Sequence, residues 1–78
     1  MAQQILDDGT IDLVIKTHLK QMNDRLERAA SLGKAAVACA ETGNVAEGIR
    51  VALEVEQLVY EVTTILNAAS MINRVGGE

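Results

Sequence analysis

Apolar residues recur along this chain at alternating spacings of four and three, the repeat that keeps a stripe on one face of a supercoiling helix. In the first half the stripe reads Ile15, Leu19, Met22, Leu26, Ala29, Gly33, Ala36 and Ala40. In the second half it reads Val51, Val55, Leu58, Val62, Ile65, Ala69 and Ile72 without a break. The pattern predicts two amphipathic helices, over about residues 11–42 and 45–74. Directly beside the second stripe lie Ala52, Val59 and Leu66, so this helix carries a broader apolar face than one neighbouring helix covers. Glu47, Arg50, Glu54, Gln57, Glu61 and Thr64 occupy its opposite, solvated side.

Start and stop signals frame these helices. Residues Met1 to Gly9 show little periodicity, and Asp7-Asp8-Gly9-Thr10 is a turn-like cluster in which Asp8 or Thr10 can cap a helix beginning near Ile11. On the outer faces Asp12 precedes Lys16, and Asp24 precedes Arg28, by one turn, the spacing of a helical ion pair. Ser31-Leu32-Gly33 is a soft spot, since a mid-helix glycine costs about 1 kcal/mol relative to alanine. The clearest local signal is Thr42-Gly43-Asn44. Gly43 suits the left-handed conformation at a helix end, Asn44 caps the next helix, and Glu47 follows three residues later as in a capping box. Arg74 with Gly76-Gly77 supplies a stop. Two helices of similar length, each about 45 Å long, joined by so short a turn run antiparallel and touch.

Composition sharpens this picture in one respect. A chain of 78 residues buries only about 60% of the surface its unfolded form exposes, and such small folds lean on disulfides, metals or oligomerisation. Cys39 is the only cysteine and Tyr60 the only aromatic residue, so Ala, Val, Leu and Ile must build the core and no disulfide closes within the chain. The expected fold is therefore all-α: one domain over residues 1–78, a long antiparallel two-helix hairpin that associates into a helix bundle, most simply a four-helix bundle formed as a homodimer. The residues expected to build the oligomer interface are the second stripe with Val59, Leu66 and Ala36. A net charge of −4 disfavours nucleic acid and anionic membranes as partners, and no stretch approaches the roughly 18 apolar residues of a membrane span. Met1 to Asp8 lacks the basic and apolar regions of a secretory signal, and the expected location is the cytoplasm.

The residues that could carry chemistry each have a structural alternative. His18 is the only histidine and hence the only side chain that ordinarily titrates near neutrality. His18-Leu19-Lys20 on a helical hairpin resembles the acceptor segment of histidine phosphotransfer modules. That resemblance implies an exposed imidazole receiving phosphate from a partner, whereas the flank His18 shares with Ile11, Ile15 and Met22 implies a partly buried structural histidine. Glu54, Glu56 and Glu61 invite comparison with carboxylate metal sites in bundles, but no Glu-x-x-His spacing completes one. Cys39 lies among small residues far along the helix from His18, which cannot act as its base. Lys16, Lys20, Arg25, Arg28 and Lys34 are interrupted by Asp12, Asp24 and Glu27 and lack the aromatic interleaving of a nucleic-acid face. Gly43-Asn44 with Glu47-Gly48-Ile49 resembles the turn of tetratricopeptide repeats, though the helices here run past the length of such a repeat.

No set of residues supplies a nucleophile, a base and an orienter together, and no cofactor or small-molecule substrate is indicated. Three functions follow as expectations. The first is a non-enzymatic homo-oligomeric scaffold or protein-interaction module. The second is a phosphotransfer bundle centred on His18. The third is a small chaperone or adaptor that binds a helix of another protein.

Overall fold

A computed structural model describes residues 8–76. Two α-helices, α1 (Asp8–Glu41) and α2 (Val45–Gly76), form an antiparallel hairpin, and among the described residues there is no strand. The reading of Met1 to Asp7 as an aperiodic segment lies outside the described residues, as does Gly77 in the expected stop. Helix α1 starts at Asp8, earlier than the expected Ile11, so Asp8 and Thr10 belong to its first turn rather than preceding it. The acidic side chain of Asp8 there complements the exposed amide ends of the helix. At the other end, α2 continues through Gly76 rather than stopping at Arg74.

The turn forms as its residues dictate. Gly43 holds φ at +93°, a conformation open to glycine at little cost. The Gly43 amide donates to the Ala40 carbonyl at 3.1 Å and the Asn44 amide to the Cys39 carbonyl at 2.9 Å, the paired closure that satisfies the last free carbonyls of a helix. The Asn44 side chain then accepts from the Glu47 amide at 3.0 Å and caps α2. The return half of a capping box does not form, because the Asn44 amide already donates to the Cys39 carbonyl and the Glu47 carboxylate pairs with Arg50.

The seam between the helices is anchored by two glycines of α2. A Cβ on Gly48 would stand 2.8 Å from the Ala36 carbonyl oxygen, and one on Gly76 would stand 2.9 Å from Ile11 Cδ1. Counting inward from the contact of Gly76 with Ile11, His18 comes level with Ala69 and Arg25 with Val62. On α2 every residue of the predicted stripe is buried or half-buried, with Leu58 and Ala69 innermost. On α1 the expectation was wrong in phase. Ile15, Met22, Ala29 and Ala36 do line the seam, but their companions are Ile11, His18, Arg25, Leu32 and Cys39. Leu19 and Leu26 face outward, Ala40 is exposed although its Cβ lies 3.6 Å from the Cβ position of Gly48, and Gly33 has nothing within 4 Å of its Cβ position. Both alternatives keep the four-and-three spacing, so they differ by a rotation of α1 about its own axis, which the match to α2 decides. The helix runs unbroken through Ser31–Gly33.

Gly48→Ala separates the two helices at their closest point. Overpacking of this kind costs about 1–3 kcal/mol, opposed by the roughly 1 kcal/mol by which alanine favours a helix over glycine. The variant should unfold at a lower temperature than the parent. An equal or higher midpoint would mean that the helices do not approach this closely beside Ala36.

Candidate interaction surface

The polar groups that enter the seam are each satisfied locally. His18 is half-buried, and its Nδ1–H donates to the Val14 carbonyl at 2.9 Å, since a carbonyl oxygen can only accept. Arg25 leaves the seam sideways: its Nε donates to Glu61 Oε1 at 3.0 Å, tying α1 to α2, and its guanidinium also reaches the Gln21 carbonyl at 3.2 Å. Gln57 donates to the second oxygen of Glu61 at 3.1 Å. The Glu61 carboxyl is held below the usual carboxylate range by the Gln57 and Arg25 hydrogen bonds, assisted by the nearby charges of Arg25 and Arg28. A shallow groove runs along this side, lined by Asp24, Arg25, Arg28, Glu54, Gln57 and Glu61 over a floor of Leu32 and Leu58. On the outer face of α2, Arg50 pairs with Glu47 and with Glu54, the latter at 3.6 Å. The expected pairs Asp12–Lys16 and Asp24–Arg28 are not among the ion pairs of the described residues.

Among the described residues no three of His, Cys, Asp and Glu are placed to hold a metal ion. Cys39 is half-buried in the seam, with its backbone carbonyl engaged by Asn44 and Thr42. Glu54 and Glu61 stay on the groove side, while Glu56 is exposed on another face. No helix is long and apolar enough to cross a membrane among the described residues.

The surface itself is the unusual feature. Of the residues expected to form the oligomer interface, Val51, Val55, Leu58, Val62, Ile65, Ala69, Ile72 and Ala36 lie in the hairpin's own seam, whereas Val59 and Leu66 remain outside it. Among the described residues the only buried apolar side chains are Leu58 and Ala69. Leu13, Leu19, Leu26, Ile49, Leu53, Val59 and Leu66 all remain exposed. Sequence reasoning found the excess on α2 but missed the matching excess on α1, because Leu19 and Leu26 had been assigned to the seam.

No family model matches this chain, and no curated protein or solved structure is significantly similar to it.

The Arg25–Glu61–Gln57 cluster predicts a pH dependence with a definite sign. A carboxyl whose pKa is lowered by folding stabilises the folded state above its unfolded pKa, and that contribution disappears as pH falls through the folded value. The urea midpoint of the parent should therefore fall more steeply between about pH 5 and pH 3 than that of Glu61→Gln. Identical slopes would mean that the cluster contributes nothing to folding.

Proposed function

We propose that this protein is a non-enzymatic, homo-oligomeric helical scaffold or interaction module of the cytoplasm, working as a bundle of hairpins. One observation carries this reading: two long helices bury only two apolar residues between them and leave a whole series of large aliphatic side chains in water. Isolated exposed leucines are ordinary, but contiguous apolar surface on a chain this small marks an association site. Cytoplasmic action accords with the lone cysteine, for small secreted domains are usually rich in disulfides.

Phosphotransfer through His18 ranks lower. The imidazole lies half-buried between the helices with Nδ1 engaged by its own chain, so a phosphate donor would reach only its remaining nitrogen, past the rim of the seam. An adaptor that holds a foreign helix uses the same exposed surface and differs only in the occupant.

Light scattering at micromolar concentration should return a multiple of the 8.3 kDa chain mass. A monodisperse species of that single mass would contradict self-assembly. Acid-labile phosphate on His18 in protein purified from its native cells would move the assignment to phosphotransfer.

A further inference from the structure

The seven-residue register divides the hairpin into two unlike sides. In an antiparallel pair, residues just after the α1 and α2 positions at matching seam layers emerge on one common side. On the first side the groove residues Arg25, Arg28, Glu54 and Glu61 converge, and this side is charged. On the other, Leu19 shares its level with Leu66, and Leu26 with Val59; nearer the turn, Gly33 shares its level with Ala52, and Ala40 with Val45. Beyond these levels, at the open end, the same register reaches Asp12 and Asn73, where the apolar strip stops. The five branched side chains of this strip leave between 43% and 60% of their surface exposed.

Resting on the self-assembly proposed above, we infer that this apolar side is covered by a second copy of the chain, stacked head to tail. Two observations select the occupant and its direction. Gly33 weakens its helix relative to alanine, yet the hairpin itself places nothing within 4 Å of its Cβ position, so no contact within the hairpin requires a glycine there. The strip is also graded in size: large at Leu19, Leu26, Val59 and Leu66, small at Gly33, Ala40 and Ala52, with Val45 the one branched side chain at the small end.

Facing layers pack to normal density when large side chains meet small ones. A head-to-tail pair sets Leu26 against Gly33 of the second copy, Leu19 against its Ala40 and Val59 against its Ala52, so bulk fills the hollows at three of the four levels, and Leu66 meets Val45. A pair with both turns at the same end sets large against large, and leaves a void where small meets small. The twofold axis of the head-to-tail pair crosses α1 midway between Leu26 and Gly33. The charged groove faces away from this junction on both copies, leaving Arg25 and Glu61 in contact with water.

A spin label on Leu13→Cys in a Cys39→Ala background reads the direction, because residue 13 lies on the outer face near the open end. At 1.5 Å of rise per residue, the head-to-tail pair places the two labels about 50 Å apart, whereas the same-end pair places them within about 30 Å. The longer distance is expected; the shorter one in a dimer overturns the stacking while leaving self-assembly intact. A mass of one chain overturns both. The face is read separately: Val59→Lys should reduce the assembly to single chains, and Gln57→Lys on the groove side should leave the dimer mass unchanged. A Val59→Lys variant that keeps its dimer mass overturns the assignment of this side.

Discussion

Everything in this hairpin hangs on the lateral fit of one seam, fixed at its two ends by Gly48 beside Ala36 and by Gly76 beside Ile11. Those glycines let the backbones approach, and the Gly43 turn sets the phase in which they meet. Once that phase is set, the helices have no further freedom: Ile15, Met22, Ala29 and Ala36 must face α2, and so must His18 and Arg25. The seam tolerates these two polar residues because each finds a partner at its edge, Val14 for one and Glu61 for the other. An unsatisfied buried polar group would instead cost on the order of 1–3 kcal/mol. What the seam lacks is depth, since a two-helix contact shields each side chain on one side alone.

The second helix and the turn were readable because each carries a signal that does not depend on its neighbour. Seven aliphatic residues at strict spacing admit one buried face, and glycine followed by asparagine admits few alternatives to a turn with a cap. The first helix was read in the wrong phase for a reason internal to its sequence. Ile15, Met22, Ala29 and Ala36 belong to two overlapping stripes, and hydrophobicity alone prefers Leu19 and Leu26 to His18 and Arg25 as their companions. The deciding evidence is the bond from Arg25 to Glu61, 36 residues away, a pairing that local periodicity does not contain. The helix start was misplaced by similar logic: Asp8 and Thr10 are good caps, but Asp8 is equally at home within a first turn.

Reading both leucine flanks correctly changes what the surface means. An arc of apolar residues that includes the seam and one flank on each helix is the pattern of helices that contribute to a bundle core, wider than the stripe of a simple coiled coil. In the proposed assembly the polar seam residues of α1 would sit toward the outside of the bundle, which is where histidine and arginine are least costly. Candidate chemistry was legible only as an absence of motif, because a surface that works by shape and apolar area leaves no signature of spaced catalytic residues.

Under the proposed self-assembly, the hairpin draws its stability from association as well as from its own seam. Anything that binds only the folded chain makes the unfolding temperature depend on concentration. For a dimer of this size the midpoint should rise by roughly 4–5 °C for each tenfold increase in protein concentration. Thermal unfolding followed by circular dichroism across a hundredfold range of concentration measures this directly. A midpoint that climbs with concentration is the predicted result; one that stays fixed, with reversible unfolding of single chains, would contradict it.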